Sequence, residues 1–577
     1  MRLPKTFIPA LLITVWSMAA GAEPRMISVV VSEDDAWHVT VSDAADATFS
    51  VDSIALEARV LAEHGNEVTW ELSRPTVEPQ RLILGDGRRD VLAVRVGSHT
   101  ETAAPFNDWV IYHIMAAYFR NGSRANDKAG FRHWIHKNYA GGDLQGVLQK
   151  ADYLAELGVN AVWLSPIFAS ETSHGYDVTN YFAIAEAMAF PRDREGSLTL
   201  YHNLVDALHE RNIRVVLDLP LDYGSGAYDR RAGDPNRRRP KATGPIQEAE
   251  KMWESWGTDF QYWRFSHEST RRFLREVAIH WLVEGRADGL RLDYVRGVPR
   301  DFWAELYSSV KAVRPDAFLF GEAWQDGYLQ GPNAVDIATY YQPVPGIGPQ
   351  FDGLLDFPMK ITMADVFARG GKAVELERWL QRTAGLYGPD GRPVYFLDNH
   401  DMARFLAWAG DRGADKLVAA LGFMASLSSP MVIFYGTETG IRGGSARRGF
   451  TDNGREPMPW DRLDSELIAR VSEVLALRRD HPALARGGRL PLFADDEVLV
   501  MLKTHAAGNL LIGVNVSQSA RTVSLTDLGL DRDAAGFRLL LGPDAPTLNG
   551  TGTLEWTLAP HTTSIAAPAR GRTTASP

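Results

Sequence analysis

The chain has 577 residues, more than one hydrophobic core normally organises, so we expect two to four domains. Its hydrophobic content of 45% and charged content of 23% are typical of a globular protein. The lack of cysteine excludes disulfides and thiolate metal sites, and the net charge of −11 argues against a nucleic-acid partner.

Residues 1–22 have the pattern of a secretory signal peptide. Arg2 and Lys5 precede an apolar stretch over 7–19, and the small residues A-G-A at 20–22 form a cleavage site. No later run reaches the roughly 18 apolar residues that a membrane helix requires. We therefore expect a secreted or periplasmic protein without a membrane partner.

Residues 23–104 contain short alternating runs, such as ISVVV, WHVTVS and EVTWELS, that are separated by turn residues. This spacing predicts an N-terminal β-sandwich. Because two of its predicted strands carry Trp37 and Trp70, we expect an accessory domain that binds polymer or shapes a cleft.

Residues 105–483 alternate apolar runs with helical patterns, which predicts an α/β fold, a (β/α)₈ TIM barrel. The eight runs are WVIYHI (109–114), VNAVWLSPI (159–167), IRVVLDLP (213–220), GLRLD (289–293), AFLFGEA (317–323), LLDFP (354–358), VYFLDN (394–399) and MVIFYG (431–436). The alternative is an open doubly wound sheet, which the lack of a glycine-rich phosphate loop after the first run disfavours.

Three further segments complete the predicted organisation. Residues 221–268 form an inserted subdomain after the third barrel strand. Residues 484–568 return to alternating β patterns, which predicts a C-terminal β-sandwich. The polar residues 569–577 are predicted to be a disordered tail.

Carboxylates follow several of the predicted barrel strands. Asp218, Asp293 and Glu322 end the third, fourth and fifth strands, and Asp398 and Asp401 follow the seventh. The carboxyl ends of barrel strands form one face, which carries the active site. Carboxylates that converge there repel one another and shift one another's pKa values, which a fold tolerates mainly where the chemistry uses them.

Two chemistries fit carboxylates that lack cysteine, a nucleotide loop or a His-rich metal set. The first is glycoside cleavage by a carboxylate pair. The second is metal-assisted hydrolysis, which requires more His ligands at fixed spacing, so the sequence favours the first. Arg291 lies two residues before Asp293 on the same side of the strand, where it would hold Asp293 ionised as the nucleophile.

The ordered motifs of this region resemble those of the α-amylase family, glycoside hydrolase family 13. They are GVNAVWLSPIF (158–168), HGYDVTNY (174–181), GLRLDYVRGV (289–298), GEAW (321–324) and FLDNHD (396–401). The resemblance covers about 109–480, and the trailing β domain also fits the family.

The resemblance implies a role for each matched residue. Asp293 would be the nucleophile, Glu322 the general acid/base, and Asp401 the third carboxylate, which binds the sugar's 2- and 3-hydroxyls. Arg291 would support the nucleophile, His400 would hydrogen-bond the same sugar, and Tyr176 would stack under it. The substrate-binding set implied in full is Arg291, His400, Tyr176, His174, Asn399, Arg455, Asp218, Tyr223 and Arg296.

Two stretches depart from the family pattern. Asp222 and Tyr223 stand where the family usually has Asn and His, of which the Asn commonly ligates calcium and the His contacts the sugar's 6-hydroxyl. Asp222 would therefore be a calcium ligand or would pair with an arginine. Arg296 and Gly297 replace a common Lys-His pair, which changes the leaving-group subsite. No organic cofactor is expected.

These observations predict a secreted retaining α-glycoside hydrolase that acts on α-glucans or maltooligosaccharides. The alternative within the family is a transglycosylase or an enzyme specific for α-1,6 links, cyclodextrins or disaccharides. A non-catalytic glucan-binding protein is the alternative from another class, and it has no need to keep Asp293, Glu322 and Asp401 together.

Overall fold

In the computed structural model, the described residues are 106–131, 135–225, 260–263, 265–324, 330–388, 391–444, 451–525, 536–549 and 553–569, together with backbone strands between 25 and 92. The predicted signal peptide, most of the inserted subdomain and residues 570–577 of the predicted tail lie outside them. In 223–225 and 260–262 only the backbone is described.

The N-terminal strands form an antiparallel sheet in the spatial order Arg25–Val31, Trp37–Ser42, Glu67–Leu72, Ala58–His64. Two small hairpins pair Ser50–Val51 with Ile54–Ala55 and Arg81–Ile83 with Asp90–Leu92. The predicted β character of this region is therefore confirmed. The side chains of Trp37 and Trp70 lie outside the described ones, so the accessory role stays a prediction.

The predicted barrel is confirmed as a closed ring of eight parallel strands. In order they are Val110–Ile114, Ala161–Leu164, Arg214–Leu219, Gly289–Leu292, Phe318–Gly321, Gly353–Leu355, Pro393–Phe396 and Met431–Phe434. The eighth strand pairs with the first, which closes the ring. Alternate side chains, including Ile111, Trp163, Val216 and Phe320, fill its interior, as expected for a barrel with a packed centre.

Helices surround this ring and place their apolar faces against it. Those described are Ala116–Phe119, Leu144–Leu148, Ala151–Leu157, Arg194–His209, Glu268–Val283, Arg300–Val313, Gln330–Tyr341, Phe357–Met363, Val374–Tyr387, Leu406–Ala409, Gly413–Ala425, Ser465–Asp480 and Pro482–Arg486. Aspartates 143, 193, 356 and 464 cap four of them by accepting a backbone N–H in the first turn. None of the helices in the described part of the chain has the length and hydropathy of a bilayer span.

Two two-stranded antiparallel sheets follow the second and third barrel strands. Phe168–Ser170 pairs with Val178–Ile184, and the segment between them carries His174 and Tyr176. Tyr223–Ser225 pairs with Phe260–Tyr262, which anchors the two ends of the inserted segment.

The C-terminal strands form two sheets that share a core. One contains Gly488–Ala494, Val498–Thr504, Leu510–Asn515, Thr562–Pro568 and Phe537–Leu541, and the other contains Arg521–Leu525, Leu554–Leu558 and Thr547–Leu548. Val500 and Leu511 of the first sheet belong to the same buried cluster as Trp556 of the second, which is the packing of a sandwich. Thr563 donates a hydrogen bond to the carbonyl of Ala419, which joins this sandwich to a barrel helix.

Arg478, near the end of the helix Ser465–Asp480, is a buried arginine that binds the backbone just before the eighth barrel strand. Its Nη1 donates to the carbonyls of Ala425 at 2.6 Å and Leu427 at 2.9 Å, and its Nη2 donates to those of Asn107 and Ser429. Burial lowers the pKa of its guanidinium to about 10. One cation therefore satisfies four backbone carbonyls at the base of the ring.

We expect Arg478→Leu to reduce the free energy of unfolding by about 3 kcal/mol, because it leaves buried carbonyls without donors. Thermal and denaturant unfolding monitored by circular dichroism would measure the loss. The matched control is Arg479→Leu, since the neighbouring Arg479 is exposed and contacts only Asp480 among the described hydrogen bonds. Equal stability of the two variants would contradict the assignment.

Candidate active site

A single buried arginine organises three carboxylates at the upper face of the ring. Arg291 is fully buried, and its Nη1 donates to Asp218 at 2.8 Å and to Asp293, while its Nη2 lies 2.8 Å from Glu322. The parallel register explains the meeting, because Asp218 pairs with Arg291 across the third and fourth strands. Glu322 follows the fifth strand directly, so three consecutive strands supply the cluster.

Asp218 is the second centre of this network. Its Oδ2 accepts from the indole of Trp163 at 3.0 Å and from the hydroxyl of Tyr176 at 2.9 Å, while its Oδ1 accepts from Arg291. Burial raises the pKa of its carboxyl to about 7, against the opposing effect of Arg291. Three protein donors thus occupy this fully buried carboxylate, and its predicted contact with a sugar stays a prediction.

Glu322 is held by the backbone that follows the fourth strand. Tyr294 adopts a left-handed conformation, with φ 34° and ψ 59°, and its N–H donates to Glu322 Oε2 at 3.3 Å. Burial raises the pKa of Glu322, Arg291 opposes the shift, and the charges of Asp293 and Asp401 add to it, so that the pKa is about 8. The carboxyl therefore binds a proton at higher pH than a free glutamate does.

Asp401 lies in a second cluster with His400 and Arg455. Arg455 Nη2 donates to Asp401 Oδ1 at 2.8 Å, and its Nε donates to the carbonyl of His400 at 2.8 Å. The Oδ1 of Asn399 accepts the backbone N–H of Asp401 at 3.0 Å, so Asn399 shapes this turn. Burial raises the pKa of the Asp401 carboxyl, while Arg455 opposes that shift.

Tyr176 connects the two clusters. Its hydroxyl donates to Asp218 and lies 2.7 Å from His400 Nε2, which is itself 3.1 Å from Asp401 Oδ2. Burial holds the pKa of His400 well below its usual value, so the ring is neutral. The Tyr176 and His400 rings are parallel, and His174 Nδ1 accepts the N–H of Tyr176 at 3.0 Å. The HGYD segment and the seventh-strand motif thus meet at Tyr176 and His400.

Arg296 lies beside this site and is paired. Its Nε lies 2.7 Å from Asp336 Oδ2, and its Nη1 donates to the carbonyl of Trp324 at 3.4 Å. The Arg296 side chain is 28% exposed, so it reaches solvent next to Ala323 and Trp324, the two residues that follow Glu322.

The calcium prediction concerns Asp222, which is fully buried. A Cβ on Gly297 would come within 2.9 Å of its Oδ2, so this carboxyl is packed against the turn after Asp293. No group of three or more His, Cys, Asp or Glu side chains suited to a metal occurs among the described residues. Calcium stays a prediction, as does the contact of Tyr223, whose side chain lies outside the described ones.

Sequence reasoning missed a support beneath the carboxylates. His113, in the first strand, stacks on Trp163 with ring centroids 3.6 Å apart and planes 8° apart. Its Nε2 lies 2.9 Å from the hydroxyl of Ser165. The available signal was a polar residue inside an apolar strand, the same signal that indicated Arg291.

The barrel that carries these side chains matches a known protein family. A family model described as "Alpha amylase, catalytic domain" matches residues 113–232 and 258–466, which together are more than half of the chain. All of the clustered side chains described above lie within these ranges.

Named relatives and a solved structure support the same family assignment. The chain is 30% identical over 443 residues to a cyclomaltodextrinase of Geobacillus thermopakistaniensis, covering 72% of this chain and 70% of that protein. It is 27% identical to a maltogenic α-amylase of Bacillus acidopullulyticus, covering 72% and 70%. An Anoxybacillus α-amylase structure superposes with a TM-score of 0.69 at 28% identity, covering 80% of this chain and 98% of that one. The chain therefore belongs to the α-amylase family, glycoside hydrolase family 13, and is a glycoside hydrolase.

Proposed function

We propose that this enzyme hydrolyses α-glucans by a retaining double displacement in which Asp293 is the nucleophile and Glu322 the general acid/base. The observation that carries the proposal is the Arg291 guanidinium, whose Nη1 donates to Asp293 and whose Nη2 lies 2.8 Å from Glu322. A shared guanidinium favours the short carboxyl separation, about 5–5.5 Å, that retaining enzymes use.

In the first step an Asp293 oxygen attacks the anomeric carbon, and the glycosidic bond breaks as its electron pair moves to the leaving oxygen. Glu322 gives its proton to that oxygen, which releases the shortened glucan. In the second step Glu322 takes a proton from water, whose oxygen attacks the anomeric carbon and releases Asp293. The raised pKa of Glu322 favours the protonated form that the first step requires.

The neighbouring residues would bind and distort the sugar. Asp401 is held by Arg455 and His400 with its carboxyl near the nucleophile's cluster, which suits contacts with the 2- and 3-hydroxyls. Tyr176 offers a flat apolar face beneath the ring. Such contacts accelerate the reaction only where they strengthen in the transition state.

The names of the relatives favour short or cyclic substrates. They include cyclomaltodextrinases, a maltogenic α-amylase and a neopullulanase, and a related α-amylase structure contains acarbose. A preference for maltooligosaccharides or cyclodextrins over starch fits the replacements at Asp222, Tyr223 and Arg296. Transfer to a sugar acceptor uses the same carboxylates and is the second candidate.

Two further proposals rest on the sequence alone. The tripartite pattern of residues 1–22 supports export through a secretory pathway. The carboxyl of Asp222 suits calcium by its oxygen chemistry, and no catalytic step depends on that ion.

We expect the first product to be the α-anomer. Proton NMR of maltoheptaose digestion would follow the anomeric signals before mutarotation, and an initial β-anomer would contradict double displacement. Products longer than the substrate in the same spectra and in chromatography would identify transfer as the principal reaction.

Asp293→Asn should reduce kcat by several orders of magnitude, because an amide cannot form the glycosyl ester. Steady-state kinetics on maltoheptaose, with circular dichroism to verify folding, would measure the loss. The control is Asp461→Asn on an exposed turn, which should keep normal turnover. Near-normal activity of Asp293→Asn would show that another group is the nucleophile.

Glu322→Gln should stabilise the fold more at pH 8.5 than at pH 5. The folded pKa of Glu322 is about 8, whereas the unfolded value is about 4.3. Between these two pH values the folded state binds more protons than the unfolded chain, so the contribution of Glu322 to stability falls as the pH rises from about 4.3 to about 8. A neutral amide removes the loss. Thermal midpoints should differ from wild type by on the order of 2–4 °C more at the higher pH.

The control for this measurement is Glu473→Gln, since Glu473 is exposed on the helix Ser465–Asp480. A midpoint difference for Glu322→Gln that is the same at both pH values would contradict the raised pKa.

A further inference from the structure

The loop of residues 135–140 lies between the first barrel strand and the helix Leu144–Leu148, and it contacts two separate parts of the sugar site. Its central side chain, His136, retains only 3% of its exposure. The backbone N–H of His136 donates to the Ser173 hydroxyl at 3.0 Å, and Ser173 directly precedes the HGYD segment. This loop is therefore attached to the chain that carries Tyr176.

The same loop holds the turn that carries Arg455. His136 Nε2 lies 3.0 Å from Asp452 Oδ2, and the Asn138 side chain donates to the carbonyl of Arg455 at 3.3 Å. Within the turn, the N–H of Arg455 donates to the carbonyl of Asp452 at 3.0 Å. Both ends of this turn are thus fixed by neighbouring residues of one loop.

The hydrogen bonds define the state of the His136 ring. Its Nδ1 accepts the backbone N–H of Asn138 at 3.2 Å, so the neutral ring carries its proton on Nε2. That N–H then donates to the Asp452 carboxylate. The edge of this arrangement packs against Tyr118, whose ring is 5.6 Å from His136 and nearly perpendicular to it. The His136 imidazole is therefore a buried neutral ring that is held between the 135–140 loop and Asp452.

We propose that His136 is a positioning residue for catalysis, which fixes the 452–455 turn so that Arg455 holds Asp401 and the His400 backbone. The proposal rests on the proposed function, in which Asp401 binds the sugar. Arg455 reaches both partners at 2.8 Å. Small displacements of such a clamp reduce transition-state contacts more than ground-state binding, because reacting groups require close alignment.

The test uses His136→Ala and His136→Gln in the full-length enzyme, with kcat and KM measured on maltoheptaose. His136→Ala should lower kcat by about 10- to 100-fold with little change in KM. His136→Gln keeps an N–H that can reach Asp452, so it should recover most of the lost turnover. The matched control is His202→Ala on the outer helix Arg194–His209, which should leave both constants unchanged.

A double-mutant cycle with Arg455→Ala separates positioning from general destabilisation. If His136 acts through Arg455, then His136→Ala should change kcat by no more than about 2-fold in the Arg455→Ala background. Fully additive losses, or a kcat loss that only follows a fall in the folded fraction, would overturn the proposal. Failure of Gln to restore turnover would also overturn it.

The outcomes distinguish two kinds of failure. If Arg455→Ala keeps wild-type kcat, the assignment of Asp401 and Arg455 to the sugar site is wrong, and the role of His136 falls with it. If Arg455→Ala loses activity but His136→Ala does not, only the positioning role is wrong.

Discussion

The buried guanidinium of Arg291 is the interaction on which the rest of the site depends. Without it, the carboxyls of Asp218, Asp293 and Glu322 would lie together at the ends of three adjacent strands with no compensating charge. An unpaired buried ion costs several kcal/mol, and a planar guanidinium can contact several carboxyls at once. The fold therefore keeps these acidic groups together at the mouth of the ring. A shift in the register of the barrel strands would separate them from Arg291.

The second arm of the network extends this constraint across the ring. Asp218 binds Arg291 on one side and the Tyr176 hydroxyl on the other, and Tyr176 reaches His400 beside Asp401. Side chains in or just after the third, fourth, fifth and seventh strands, and Tyr176 from the segment that follows the second, are thus linked by direct contacts. These contacts between protein groups fix the relative positions of the side chains, which is the preorganisation that the proposed catalysis requires.

Much of this could be predicted from the sequence, because strands and motifs have local signals. The eight apolar runs predicted the ring, and a charge inside an apolar run predicted Arg291. The contacts of Arg296 with Asp336, and of His136 with Asp452, had no such signal, because they join segments far apart in the chain. The family pattern assigned Asn399 and Asp218 to the sugar, which stays a prediction, and it gave no sign of their contacts with the Asp401 backbone and the Trp163 indole.

The left-handed backbone at Tyr294 limits how this site can be redesigned. Tyr294, the residue after Asp293, has a φ of 34°, and its N–H is directed at Glu322. Gly, Asn and Asp enter this conformation easily, whereas β-branched residues do so only at considerable strain. Most substitutions of Tyr294 in a saturation library would therefore strain the backbone whatever the chemistry of the new side chain, and this restriction adds to the one that its burial, at 2% exposure, already imposes.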